Sequence, residues 1–195
     1  MVVNVILFDD FETMDAFGPV QVFGKAPEHF YIRYLSLHGG IVNSTQNVKV
    51  WTEPLGGEEI RDILLIPGGR GAKKQLYLEK ELLEAVKQAA QSADLCMMVE
   101  NGSALLAQTG LLYRRQVADY EFDENWKRMF TAGIHHVPDV RWIADGKYYS
   151  CSTTAACLDM SLGIVSDRID MDVAARIAEQ LGYSWDPENE EGILL

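Results

Sequence analysis

Leu95 to Leu112 reads LCMMVENGSALLAQTGLL, and its three parts follow three different rules. Leu95-Cys96-Met97-Met98-Val99 is an uninterrupted apolar run, short enough for a strand buried on both faces. Glu100-Asn101-Gly102-Ser103 ends the run abruptly, and Asn and Gly tolerate backbone angles that most residues resist. Ala104-Leu105-Leu106-Ala107-Gln108 then has helical character, with Gly110 placed to stop it at C′. A strand, a tight turn and a helix in this order lift one side chain above the C-terminal edge of a sheet, beside a helix N-terminus. The residue at the crest of this elbow is Glu100. Two roles are open to it. A carboxylate in a first helical turn is stabilised by the dipole, by a few tenths to about 1 kcal/mol, and needs no chemical duty. A carboxylate held over a cleft can also take part in proton transfer.

Upstream, Val2 to Phe8 is a β-branched run suited to a buried parallel strand. Asp9-Asp10-Phe11-Glu12 makes a turn, and Thr13 to Phe23 reads as a helix that Gly18-Pro19 should start or kink, because Pro19 lacks a backbone donor. Asp15 stands just before that break, near the C-terminal end of the first strand. Tyr31 to Leu37 reads as a second strand, and Val42 to Trp51 as a hairpin or edge pair turning at Asn43 to Asn47. Asp62 to Ile66 is another short buried strand, and Pro67-Gly68-Gly69-Arg70-Gly71 ends it. Three glycines there are compatible with a plain turn, or with backbone N–H groups turned toward a ligand. Glu79 to Ser92 is a helix with Leu82, Leu83, Val86 and Ala90 on one face.

Downstream of the elbow come Gln116 to Tyr120 and a helix over Glu124 to Phe130. Val140 to Ile143 and Tyr148 to Cys151 flank the turn signal Asp145-Gly146. Ser152 to Ala156 leads into a helix over Cys157 to Asp167, and a last helix, Met171 to Leu181, stops at Gly182. The carboxylates Glu188, Glu190 and Glu191 suggest a solvated tail. Strands that alternate with helices mean an α/β fold with a parallel sheet covered on both faces.

A chain of 195 residues suits one domain, residues 1–195, with a sizeable core. Its net charge of −12 argues against nucleic acid or an anionic membrane as partner, since both would repel it. No apolar run approaches the roughly 20 residues of a membrane span. The start, MVVNVILFDD, lacks a basic region and enters a strand at once, so a secretory signal is not expected. Three cysteines, an odd number without metal-type spacing, point to a reducing cytoplasm and to buried thiols without chemistry. His135 and His136 are adjacent, so on a strand they point apart and cannot readily chelate together; solvent exposure is expected for both. Arg114-Arg115 reads as a solvated pair at a helix exit. Tyr113, Tyr120, Phe122 and Trp126 are expected to cover the sheet or a dimer surface, or to line the cleft. No metal and no cofactor is expected.

The elbow VENGSALLAQTGLL, the strand and loop ILLIPGG, the Asp15-Ala16-Phe17-Gly18-Pro19 stretch, DGKYYSCSTTAACLDMSL and the YSWDP tail together resemble the DJ-1/PfpI family, within the class I glutamine amidotransferase-like superfamily. The isocyanide hydratase-like members and the sensor-like domains of certain AraC-type regulators are the most similar branches. The resemblance runs nearly end to end and implies a flavodoxin-like three-layer sandwich with a mainly parallel central sheet, usually as a homodimer. It also implies a cysteine at the elbow and a histidine after the elbow helix. Here the matching residues are Glu100 and Tyr120, the latter preceded by Asp119. Chemistry that depends on a thiolate is therefore not expected.

What the resemblance leaves is an acid and a backbone. Asp15 matches the family carboxylate before Gly-Pro, which in hydratase-like members faces the elbow, so Asp15 and Glu100 become a candidate acid/base pair. Two carboxyl groups a few ångströms apart cannot both ionise cheaply, and one pKa should rise. The family pattern implies oxyanion or ligand donors in the backbone N–H groups of Gly69 and Asn101, with Gly68 and Tyr120 beside them. The expected partner is a small polar ligand, bound or sensed in this cleft. The alternative is a hydratase or lyase that works on a small carbonyl or isonitrile-like substrate.

Overall fold

The computed structural model describes residues 1–56, 59–78, 80–187 and 192–194. Apolar runs become strands in chain order: β1 (Val2–Ile6), β2 (Tyr31–Ser36), β3 (Gly40–Asn43), β4 (Lys49–Pro54), β5 (Ile63–Ile66) and β6 (Leu95–Val99). After them come β7 (Gln116–Ala118), β8 (His135–Val137), β9 (Trp142–Asp145), β10 (Tyr148–Cys151) and β11 (Gly192–Leu194). The helices are α1 (Thr13–Gly24), α2 (Arg70–Leu78), α3 (Lys80–Ser92), α4 (Gly102–Gln108), α5 (Glu124–Phe130), α6 (Ala156–Arg168) and α7 (Met171–Leu181).

The main sheet runs β11-β9-β10-β6-β5-β1-β2-β4-β3. Its central pairs, from β10 through β6, β5, β1 and β2 to β4, are all parallel; β9–β10 and β3–β4 are antiparallel. Every residue of β5, β6 and β10 is buried, as expected for strands covered on both faces. Helices α1, α6 and α7 contact one another, and α2, α3 and α4 form a second connected set. This gives the mixed α/β sandwich expected from the alternation of elements. From β1 the chain winds outward through β2 to β4 and then returns to place β5 on the other side of β1. The C-terminal ends of β1 and β5 therefore flank a topological switch point, the usual crevice of such sheets.

Several expectations need correction. Helix α1 does not start at Pro19 but runs from Thr13 to Gly24 with Pro19 inside it, because Ala16, Pro19, Val20 and Phe23 are buried and their packing outweighs one missing donor. Helix α2 was not expected from the glycine-rich stretch. It begins at Arg70, directly after Gly69, and α3 follows it; the expected start at Glu79 lies outside the described residues. Chain-end residues 192–194 pair with β9 as a strand, whereas Glu188, Glu190 and Glu191 lie outside the described residues. His136 is half-buried and bonds Thr131 Oγ1 through Nε2 at 3.0 Å, so only His135 is exposed as expected. Arg114 and Arg115 are both exposed as expected, Arg115 pairing with Asp145 at 2.7 Å and Arg114 lying over the ring of Tyr113. Cys96, Cys151 and Cys157 are all buried and free. Among the described residues no helix is long and apolar enough to cross a membrane.

Candidate functional site

Strand β6 delivers Glu100 at the sheet's C-terminal edge, and the turn takes an unexpected form. The left-handed backbone angle falls on Glu100 itself, at φ 47°, and not on Asn101, which has φ −72°. A side chain in this region costs of order 1–2 kcal/mol. The surroundings fix it. The Glu100 N–H donates to Cys151 O (3.1 Å), and its carbonyl accepts from Ser103 N (3.2 Å) and Ser103 Oγ (2.8 Å). Gly102 is required by space, because a Cβ there would meet Ile66 O at 2.6 Å and Pro67 O at 2.7 Å.

The Glu100 side chain is held as firmly as its backbone. Oε1 accepts from the N–H of Thr154 at 2.7 Å and from its hydroxyl at 3.0 Å. Thr154 belongs to the small-residue turn before α6, a stretch that carried no chemical signal in the sequence.

Across the switch point, the β1–α1 turn packs directly on the Pro67 to Gly71 loop. Glu12 N donates to Gly68 O (2.9 Å) and Gly71 N donates to Asp10 O (2.9 Å). Asp15, on α1, is fully buried and accepts from Gly68 N through Oδ2 at 3.1 Å. Its Oδ1 has no hydrogen-bond partner among the described residues. Burial, and after it the nearby charge of Glu100, raises the Asp15 carboxyl to about 7; the Thr154 hydroxyl, which stands close to both acids, opposes the rise.

The backbone donors are arranged differently from expectation. Gly69 N–H donates to Asn101 Oδ1 (2.9 Å), and Asn101 Nδ2 donates back to Gly69 O (3.0 Å). This reciprocal clasp joins the β5 loop to the elbow. It also leaves Gly69 without an open N–H for an oxyanion, because the Asn101 side chain already uses it. Gly68 N–H is likewise engaged, by Asp15. Gly68 and Gly69 therefore act through closeness. A Cβ on Gly68 would meet Asn101 Oδ1 at 2.5 Å and Asp15 Oδ2 at 2.8 Å, and Gly69 has φ 120°.

In front of this assembly lies a cavity of about 640 Å³, lined by Glu12, Gly69, Arg70, Lys73, Lys74, Tyr77, Glu100, Asn101 and Phe122. Asp15 lies behind the lining, and so does Tyr120, which packs with Ala104, Trp126 and Phe130. Burial pushes the Tyr120 hydroxyl up, the nearby Ser103 hydroxyl opposes the rise, and the Tyr120 oxygen has no hydrogen-bond partner among the described residues. The structure thus gathers Asp15, Gly68, Gly69, Glu100 and Asn101 in one place and sets Tyr120 back. The α2 wall of Arg70, Lys73, Lys74 and Tyr77 went unrecognised because the helix that carries it did. The thiols are remote from this role: burial raises Cys96 to about 12 and moves Cys151 and Cys157 upward as well. Among the described residues no group of three metal-type ligands occurs.

A family model for DJ-1/PfpI proteins matches residues 1–167. The chain belongs to the DJ-1/PfpI family. No curated protein matches it. Among solved structures it is similar to a ThiJ/PfpI family protein from Pseudomonas syringae, with a TM-score of 0.82 at 20% identity over 95% of this chain and 76% of that one. A cysteine-to-alanine mutant of a DJ-1 superfamily protein from Salmonella typhimurium follows at TM-score 0.80, 20% identity, 94% and 99% coverage. An AraC family transcriptional regulator from Pseudomonas putida gives 0.76, again at 20% identity, covering 92% of this chain and 98% of that one. At such identities the likeness bears on the DJ-1/PfpI fold alone.

Proposed function

We propose that this DJ-1/PfpI chain is a small-molecule binding or sensing module of the isocyanide hydratase-like branch, in which Glu100 stands where relatives carry the nucleophilic cysteine. The reading includes a single domain over residues 1–195, a homodimeric state and a reducing cytoplasmic setting for the three free thiols. The observation that carries it is the pair of hydrogen bonds that Thr154 donates to Glu100 Oε1, which fixes a carboxylate at the edge of the 640 Å³ cavity. A strained, clamped acceptor at the mouth of a cleft is preorganised for recognition. Asn101 contributes its backbone N–H to the same mouth.

One observation favours hydratase or lyase chemistry instead. Asp15, with its carboxyl raised to about 7 and one oxygen unpartnered, could hold a proton for Glu100 to relay. Asp15 does not line the cavity, so it would act through Glu100 and Thr154 and not on a substrate directly.

Glu100→Gln separates the two. It keeps the shape and removes the titrating group. A binding module still binds its ligand in this variant, weakened by no more than the one charged contact removed, and neither form turns over aldehydes, isonitriles or amides. Turnover by the native chain that collapses in Glu100→Gln would establish the enzyme and end the binding-only reading.

A further inference from the structure

The cavity is lined by charges of both signs. Glu12 of the β1–α1 turn and Glu100 of the elbow supply the acids, α2 supplies Arg70, Lys73, Lys74 and the ring of Tyr77, and Phe122 adds a second ring. Not all of these charges are available. Lys74 is paired with Asp10, and Glu12 Oε1 accepts from Gln46 Nε2 at 2.6 Å. Neither Arg70 nor Lys73 lies within ion-pair distance of a carboxylate among the described residues. Glu100 Oε1 is filled by Thr154, which leaves Oε2 without a partner among the described residues. In a chain of net charge −12, Arg70 and Lys73 on the lip of the cleft oppose the overall field, Arg70 sharing its influence with nearby Asp10. The first turn of α2, where Arg70 sits, adds partial positive charge of its own.

We propose that the ligand is a dipolar small molecule. Its carboxylate meets Arg70 and Lys73, its ammonium or amine N–H meets Glu100 Oε2, and an apolar body lies on Tyr77 and Phe122. This rests on the reading of the cavity as a small-molecule site and names the chemistry of its occupant. An anion alone would leave Glu100 facing a like charge; a cation alone would face Arg70 and Lys73. Only a ligand carrying both signs satisfies both sets of charges. Tyr77, more than half exposed, and half-buried Phe122 offer aromatic faces that an empty cleft leaves to water.

The test titrates the whole chain with three probes that share a phenyl ring: phenylalanine, 3-phenylpropionate and phenethylamine. Calorimetry gives the affinities, and the ring resonances of Tyr77 and Phe122 report occupation of the cleft. Phenylalanine should bind at least about tenfold more tightly than either single-charge probe, the yield of one additional charged hydrogen bond. Lys73→Gln should weaken phenylalanine and phenylpropionate about tenfold while sparing phenethylamine, and Glu100→Gln should weaken phenylalanine and phenethylamine about tenfold while sparing phenylpropionate. If a single-charge probe binds as well as phenylalanine, or both variants leave all three affinities alone, the dipolar assignment is wrong although the cleft still binds. If no probe shifts Tyr77 or Phe122, both the assignment and the small-molecule site fall.

Discussion

The elbow wall and the excursion between β7 and β8 face the same cleft and are held in opposite ways. At the elbow nearly every polar group has a partner: Glu100 takes two donors from Thr154, Asn101 and Gly69 exchange two bonds, and Gly68 serves Asp15. In the excursion the buried Tyr120 hydroxyl and Trp126 Nε1 both lack hydrogen-bond partners among the described residues. Stacking dominates there, with Phe122 on Trp126 at 4.5 Å and Trp126 on Phe130 at 5.2 Å between ring centroids. Its polar ties centre on the buried Lys127, bonded to Asp119 (2.8 Å), Glu124 (2.9 Å) and Tyr120 O (3.1 Å), with Gln108 Nε2 donating to Phe130 O (2.6 Å). Directional bonds fix the elbow wall almost group by group; in the other wall ring packing does most of the shaping and leaves some buried polar atoms unbonded. The acceptor that would read a ligand sits on the first.

The comparison breaks most visibly at Gly68. Gly68→Ala puts a methyl into Asn101 Oδ1, Asp15 Oδ2 and Val99 O at once. Overpacking of about 1–3 kcal/mol is then compounded by loss of the Asp15 and Asn101 bonds, so a destabilisation of about 4 kcal/mol is expected in denaturant unfolding. A loss under about 1 kcal/mol would mean that the clasp is slack.

Asp15→Asn probes the remaining imperfection at the elbow. The Asp15 carboxyl is raised to about 7 in the fold against 3.8 ordinarily, so the folded chain binds the proton more tightly than the unfolded one. Its favourable contribution is complete below about pH 4 and is lost as pH rises through 7. Asparagine still accepts from Gly68 but does not titrate. Relative to the native chain, the variant should therefore gain about 2–3 kcal/mol between pH 5 and pH 8. A flat or opposite difference would place Asp15 as an ordinary ionised acid. Thr154→Val is smaller: it keeps the N–H bond at 2.7 Å and removes the hydroxyl bond at 3.0 Å, at a cost of about 1–2 kcal/mol.

Most of the fold was legible because its signals are local. Val2 to Phe8, Asp62 to Ile66 and Leu95 to Val99 are apolar runs with one reading, and Gly110 and Gly182 stop their helices at φ 83° and 63°. Pro19 misled because the packing that keeps it in α1 comes from elements far away in sequence. At the site, Glu100 was legible in the strand–turn–helix pattern and the role of Asp15 came from resemblance, whereas Thr154 is 54 residues from the acid it clamps, and no spacing rule reaches that far. The Gly69 donor was misjudged for a related reason. Whether a backbone N–H is open depends on which side chain arrives, and the Asn101 amide returns from 32 residues away.

The smallest expected effect sharpens the contrast between the walls. Tyr120→Phe deletes a hydroxyl that is buried and unbonded, so no hydrogen bond is lost and a desolvation cost disappears. The ring keeps its edge contact with Phe122 at 6.2 Å and its place beside Ala104 and Trp126. The variant should be unchanged or more stable by up to about 1 kcal/mol, and its ligand affinity should match that of the native chain, since Tyr120 lies behind the lining. Thr154→Val removes a hydroxyl too, yet in the opposite direction, because that oxygen donates to Glu100. Measured side by side by urea unfolding, the two substitutions test whether partnered and unpartnered oxygens divide the cleft as described. A loss above about 1 kcal/mol in Tyr120→Phe would mean that its hydroxyl has a partner in solution, and the two walls would then be built alike.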